Sequence, residues 1–249
     1  MPSLLIWRDR IFVRSWGLIL KVCILLWLFL IPFLEKTIEC PHCHKEGEFD
    51  LWTSVNVDLD PELREKIFSD ELFLYHCPHC GEVTGIPAGT LYHDMEHKFM
   101  LFFEFFKPDE YDYMPMELSE TLGMDKNYTF RTVFDLQRFK EKIVILEHGL
   151  DDVAIEHQKY MISHVIMPEI AEKGYELFFA KLEEPDEEFP LGKIFFFYND
   201  EEKQQTMEVR FAMDNYYEHK LACELDPRMT IKGCMCVDEE WLSKQLKKE

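Results

Sequence analysis

The chain has 249 residues, 47% of them hydrophobic and 14% aromatic, with 21 phenylalanines. This is enough apolar material for a full core, as one large domain or two modest ones, and it excludes disorder over most of the length. Lys and Arg number 27 against 48 Asp and Glu, a formal balance of −21 with a sequence pI near 4.8, which removes most of the electrostatic support for binding nucleic acid.

In chain order, the first feature is an apolar run from Trp16 to Leu34, broken only by Gly17, Lys21 and Pro32. Its length suits a bilayer-spanning helix of about 20 residues, and no small-residue cleavage site follows it. Arg8, Arg10 and Arg14 precede it, so the positive-inside rule keeps the N-terminus in the cytoplasm and sends the body outside. Two expectations stand side by side. Residues 16–34 anchor the protein to a membrane, or the reading frame starts nearer Leu34 or Glu35 and the segment is foreign to the protein. In both, the body needs nothing before about Glu35.

Two copies of one tetrapeptide follow, Cys40-Pro41-His42-Cys43 and Cys77-Pro78-His79-Cys80. A Cys-x-x-Cys turn presents two thiolates to one point, and two such turns complete a tetrahedral four-sulfur shell around Zn²⁺. Cys40, Cys43, Cys77 and Cys80 are therefore the expected ligands of one structural zinc, with His42 and His44 beside the shell rather than in it. A closed four-sulfur shell leaves no position for water, so the metal contributes folding energy instead of activating a nucleophile. The rival is thiol–disulfide exchange, since the same tetrapeptide serves oxidoreductases with a low-pKa thiol at a helix N-terminus. The duplication, Gly81 directly after Cys80 and the lack of a βαβ pattern oppose it. Four thiolates on zinc belong in a reducing compartment, which places the body in the cytoplasm, against the orientation read from the arginines.

Between and after these turns, the alternation from Phe49 to Leu59 reads as one half-buried strand, and Asp60-Pro61-Glu62 opens a short helix through Phe68. Leu72 to Tyr75 leads into the second turn, and Phe99 to Phe106 reads as a buried strand. A long connection spans Lys107 to Asn127, and Tyr128 to Val133 is a strand. From Asp135 to His148 the stripe Leu136, Phe139, Ile143 and Leu146 predicts an amphipathic helix stopped by Gly149. Asp151-Asp152 opens a second helix to about His164. Leu177–Phe179, Ile194–Tyr198 and Met207–Met213 predict an antiparallel meander, and Val237 to Lys248 a closing helix with Trp241. Strands and helices do not alternate as βαβ units, so the fold class is α+β. The division expected is 1–36 as the hydrophobic segment, 37–164 as the metal-bearing domain and 165–249 as meander plus helix.

The two Cys-Pro-His-Cys turns, Asp60-Pro61-Glu62-Leu63, Leu91-Tyr92-His93-Asp94, and Glu141-Lys142-Ile143 through Gly149-Leu150-Asp151-Asp152 together resemble the CpXC family, over Thr37 to His164. The resemblance implies a zinc-ribbon-bearing domain and assigns no activity. Val153 stands where the family usually has Arg, so that arginine's role does not carry over.

Three further groups invite chemistry. Asp152 and Glu156 share a helix face beside Asp151 and His157 and could form an acid–base or metal pair, against the plainer reading of acids favouring a helix N-terminus. His93 and His97, with Asp94 and Glu96, read as surface or satisfied residues. Cys223, Cys234 and Cys236 read as loop or strand cysteines rather than a second metal or redox site. The function expected is a non-catalytic, zinc-stabilised interaction or regulatory module whose partner is a protein. A thiol–disulfide oxidoreductase and an enzyme using Asp152 and Glu156 are the alternatives.

Overall fold

The computed structural model describes residues 32–107, 127–231, 233 and 235–247. The apolar run up to residue 31, most of the connection after Lys107, and Cys23 and Cys234 lie outside the described residues.

Two hairpins open the fold. β1 (Phe33–Glu39) pairs antiparallel with β2 (Glu46–Trp52), in a register that sets Ile38 opposite Gly47. β1 begins earlier than the expected start of the body. Phe33 lies opposite Trp52 with ring centroids 5.2 Å apart, and the Pro32 carbonyl accepts hydrogen bonds from the backbone of Thr53 and Ser54. The expectation that nothing before Glu35 serves the body is therefore corrected, because Pro32 to Leu34 carry part of the first hairpin.

The run from Phe49 to Leu59 is two strands instead of one. At Thr53 the chain turns, donating backbone and hydroxyl hydrogen bonds to the Pro32 carbonyl, and β3 (Ser54–Asn56) joins another sheet. Helix α1 (Glu62–Phe68) then buries Leu63 and Ile67. A 3₁₀ turn at Glu71–Phe73 leads to the second hairpin, β4 (Leu74–His76) with β5 (Val83–Gly85).

β3 pairs with β6 (Thr90–Asp94), β6 with β7 (Phe99–Phe103) and β7 with β8 (Thr129–Val133). The first and last of these pairs are parallel and the middle one antiparallel, so this four-stranded sheet is mixed rather than antiparallel throughout. The strand read as Phe99–Phe106 stops at Phe103, and Phe105 and Phe106 are exposed.

Helix α2 (Leu136–Glu147) is opened by Asp135, whose side chain accepts from the Arg138 amide. Its predicted stripe packs as expected: Phe139, Ile143 and Leu146 enter one core with Tyr92, Leu101 and Phe103. Phe139 stacks on Phe103 at 5.0 Å and meets Tyr92 edge-on at 6.2 Å. Arg64 of α1 grips Glu147 of α2 with two hydrogen bonds of 2.7 Å, and the Tyr92 hydroxyl donates to the same carboxylate at 2.9 Å.

The opposite face of α2 is also buried. Ile145 joins a second core with Ala154, Ile155 and Ile162 from the next helix and with the three-stranded sheet. That helix, α3 (Asp152–Met161), is capped by the Asp151 carboxylate and runs on as a π turn through Ile166. After α4 (Glu169–Glu172), the expected meander follows as β9 (Phe178–Glu183), β10 (Lys193–Asp200) and β11 (Gln205–Ala212), in spatial order 11-10-9. The acidic residues Glu184, Asp186, Glu187 and Glu188 lie in the loop between β9 and β10.

The third strand was expected to reach Met213. It ends at Ala212, and a helix the sequence did not announce, α5 (Met213–Leu225), packs on α3. α6 (Glu239–Leu246), capped by Asp238, closes the described chain over α3 through Trp241 and Leu242. No helix among the described residues is long and apolar enough to cross a membrane.

Candidate metal centre

The two tetrapeptides sit at the tips of the two hairpins, Cys40–Cys43 between β1 and β2 and Cys77–Cys80 between β4 and β5. Both turns fold by the same backbone pattern. Cys40 N–H donates to the Lys45 carbonyl at 3.0 Å and Cys77 N–H to the Glu82 carbonyl at 2.9 Å. His44 N–H returns to the Cys40 carbonyl at 2.9 Å and Gly81 N–H to the Cys77 carbonyl at 3.0 Å. This closure needs the residue after the second cysteine to be left-handed. Gly81 adopts φ 77° without a Cβ penalty, and His44 adopts φ 58°.

The tips face one another. Cys40 Sγ lies 3.7 Å from Cys80 Sγ and Cys43 Sγ 3.7 Å from Cys77 Sγ, and all four sulfurs lie within 4.8 Å of each other. Four sulfurs placed tetrahedrally around a cation at about 2.3 Å are about 3.8 Å apart, whereas a disulfide needs about 2.05 Å. The donor set fits a tetrahedral thiophilic cation. Cys40 and Cys77 are buried, Cys43 is half-buried and Cys80 is exposed.

The electrostatics agree. Burial raises the Cys77 thiol, but amide groups of His79 and Cys80 and the adjoining thiols outweigh it and bring the group down to about 6. The amide near Glu82 favours the Cys80 thiolate, yet burial and three neighbouring sulfurs push it up to about 12. Four thiolates this close repel, and a divalent cation is what lets all four ionise.

Behind the sulfurs, Cys40, Tyr75 and Cys77 form a small core flanked by Ile38, Phe49 and Ile86. Phe49 meets Tyr75 edge-on at 6.3 Å. The Tyr75 hydroxyl fills the place where a side chain at Gly47 would stand: an added Cβ would lie 2.2 Å from it. Burial, and after it the Cys77 sulfur, raises the Tyr75 hydroxyl above its ordinary pKa. His79 bonds the Glu46 carbonyl of the other hairpin at 2.9 Å. His42 and His44 are exposed, and His44 pairs with Glu39 at 3.0 Å, so neither turns to the sulfurs.

Residues 38–159 match the family model of the CpXC protein. That stretch of the chain is a CpXC domain. No curated protein and no solved structure matches the chain. The matched stretch takes in both cysteine turns, the first hairpin from Ile38 onward, the second hairpin, the mixed sheet, α2 and nearly all of α3.

The remaining sequence candidates fall elsewhere. Asp151 is the expected cap. Asp152 and Glu156 are not surface acids at a helix end. Arg131 holds Asp152 in a two-pronged grip of 2.9 and 2.7 Å, and Lys142 bonds Asp152 at 3.0 Å and Glu156 at 3.2 Å. Lys159 reaches Glu156 at 3.3 Å and Glu141 at 2.9 and 3.1 Å, and Glu141 accepts the Phe179 amide at 2.6 Å. All six charged groups are buried. Burial works against both carboxylates, and the cations overcome it: Arg131 and Lys142 hold Asp152 well below its usual range, and Lys159, Lys142 and Arg138 lower Glu156. Sequence reasoning missed the basic partners. The one available signal was Lys142 and Lys159 lying on helices that otherwise bury apolar side chains.

His93 is buried, not at the surface, and bonds the Tyr128 hydroxyl at 3.2 Å, while His97 pairs with Asp94 at 2.8 Å. His157 meets His219 of α5, Nδ1 to Nδ1 at 2.9 Å. Cys223 and Cys236 are half-buried, and burial raises both thiols to about 12. Among the described residues, the four-cysteine group alone brings three or more such ligands together.

Proposed function

We propose that the chain is a zinc-stabilised interaction module in which Cys40, Cys43, Cys77 and Cys80 hold one structural Zn²⁺ that joins the two hairpins as a zinc ribbon. The observation that carries this reading is the pair of 3.7 Å sulfur separations between two turns of matching hydrogen-bond pattern. The ion supplies folding energy by neutralising four thiolates, and with four sulfurs bound it offers no site for water. The partner is a protein rather than nucleic acid. The charge of −21 opposes phosphate, and α5 exposes Tyr217, Leu221 and Leu225 as an apolar stripe at 50, 55 and 74%. Four reduced thiolates favour a cytoplasmic body, with the apolar run from Trp16 as far as the start of the first hairpin at Pro32 as a tether to the membrane. Thiol–disulfide exchange is the weaker reading, since both tetrapeptides sit at hairpin tips and neither opens a helix that would depress its first thiol.

Elemental analysis of the purified chain should find about one zinc per chain. Cys40→Ser or Cys77→Ser should lose it and unfold more readily. A metal-free protein whose stability ignores a chelator, or one whose four cysteines cycle between thiol and disulfide, overturns the reading.

A further inference from the structure

A cavity of about 250 Å³ lies beside the buried charge network, away from Cys40, Cys43, Cys77 and Cys80. Its wall is built from the end of β8, the first two turns of α2, Glu156 of α3 and residues 236–238 ahead of α6. The C-terminal part of the chain thus roofs a cavity whose floor belongs to the CpXC domain.

Three observations give the cavity a chemistry. Glu156 lines it and is 1% exposed, and while its Oε1 takes Lys142 and Lys159, its Oε2 is buried with no hydrogen-bond partner among the described residues. A buried carboxylate oxygen left without a donor costs free energy, which a ligand donor would recover. Second, the six buried charges cancel, with Arg131, Lys142 and Lys159 against Glu141, Asp152 and Glu156. Arg138 also lines the cavity and adds a cation to that balance; its guanidinium pairs with the exposed Glu176 at 3.5 Å and lies 6.0 Å from the centroid of the Phe178 ring. Third, the other charged lining groups are already matched. Asp135 and Asp238 cap α2 and α6, and Lys107 pairs with Glu240 at 2.6 Å and Asp238 at 3.7 Å.

We infer that this cavity binds a small hydroxycarboxylate, its carboxylate on the Arg138 guanidinium and its hydroxyl donating to Glu156 Oε2. The guanidinium fork matches a carboxylate in shape and charge. A hydroxyl fits the Glu156 end better than an ammonium, because it donates without bringing a third cation to Lys142 and Lys159. The volume falls below the roughly 300 Å³ at which drug-sized sites begin, so the ligand is of metabolite size. The site stands independently of zinc.

The test is saturation-transfer NMR on the zinc-loaded full chain, with lactate, propionate and alanine as probes. Lactate should bind. Propionate, lacking the hydroxyl, and alanine, with ammonium in its place, should each bind about tenfold or more weakly. Arg138→Gln should weaken lactate by a similar factor. If Arg138→Gln fails to fold by circular dichroism, Cys236→Met decides instead, because it fills the same cavity and should abolish lactate binding. No transfer to lactate into the millimolar range, equal binding of lactate and propionate, or unchanged lactate binding in the deciding variant overturns the assignment and leaves a cavity that holds only water.

Discussion

Gly47→Ala tests how the two hairpins are clamped. Gly47 faces the other hairpin, and an added Cβ would stand 2.2 Å from the Tyr75 hydroxyl, 3.1 Å from Pro78 Cδ and 3.2 Å from Tyr75 Cζ. The first distance is far inside van der Waals contact, and Tyr75 has little room to retreat because it is 1% exposed and backed by Phe49. Overpacking of this kind costs about 2 kcal/mol. The strain exists only while the tips are held together, so it falls on the metal-bound form and weakens zinc about 30-fold. Competition against a chromophoric chelator reads the affinity, and urea unfolding reads the stability. The second substitution makes the argument specific. Tyr75→Phe removes the offending oxygen, and in the double variant the remaining 3.1 and 3.2 Å approaches need shifts of only a few tenths of an ångström, so most of the zinc affinity should return. If Gly47→Ala binds zinc as tightly as the unaltered chain, or if Tyr75→Phe does not rescue it, the clamp has been misread.

Two further outcomes follow from the buried groups. Lys159→Met should destabilise the fold by about 3–5 kcal/mol, since Glu141 keeps only the Phe179 amide, whereas Lys142→Met should cost less because Asp152 keeps Arg131 and Glu156 keeps Lys159; the reverse order in urea melts would contradict the network. Burial and the neighbouring His157 lower His219 to about 4, while burial lowers His157 against the opposing pull of Asp226, so both are favoured neutral in the folded state. Their contribution is full above pH 6.5 and is lost as pH falls toward about 4, and His219→Gln should flatten that part of the stability profile relative to the unaltered chain; identical profiles would refute it.

The cysteine turns and the stripe of α2 were legible in the sequence because each is a strictly local pattern: four residues closing on one point, and Phe139, Ile143 and Leu146 on one helical face. What was hidden depended on partners far along the chain. Alternation marks a strand but not its direction, so nothing near β3 or β8 announced their parallel neighbours. The strand read through Leu59 breaks at Thr53 because Pro32, twenty-one residues away, supplies the acceptor. α5 was missed because Ala212 gives it no side-chain cap and its apolar residues lie on two faces, Met213 and Tyr216 buried against Tyr217, Leu221 and Leu225 exposed. Glu141, Lys142, Asp152 and Glu156 look like solvated charges one at a time. Only the meeting of α2 with α3 and β8 makes them an interior cluster.

The placement of the cysteines also sets an order of events for a growing chain. Each pair is carried on a hairpin whose strands are separated by six residues, 40–45 in one and 77–82 in the other, so both can close by local search. The mixed sheet has to wait for β8, which starts at Thr129, and the helix pair waits longer. By the time residue 85 has left the ribosome, all four sulfurs and both hairpins exist, while neither large core does. Metal capture can therefore come first, turning the N-terminal segment into a cross-linked platform on which the slower, long-range pairings assemble.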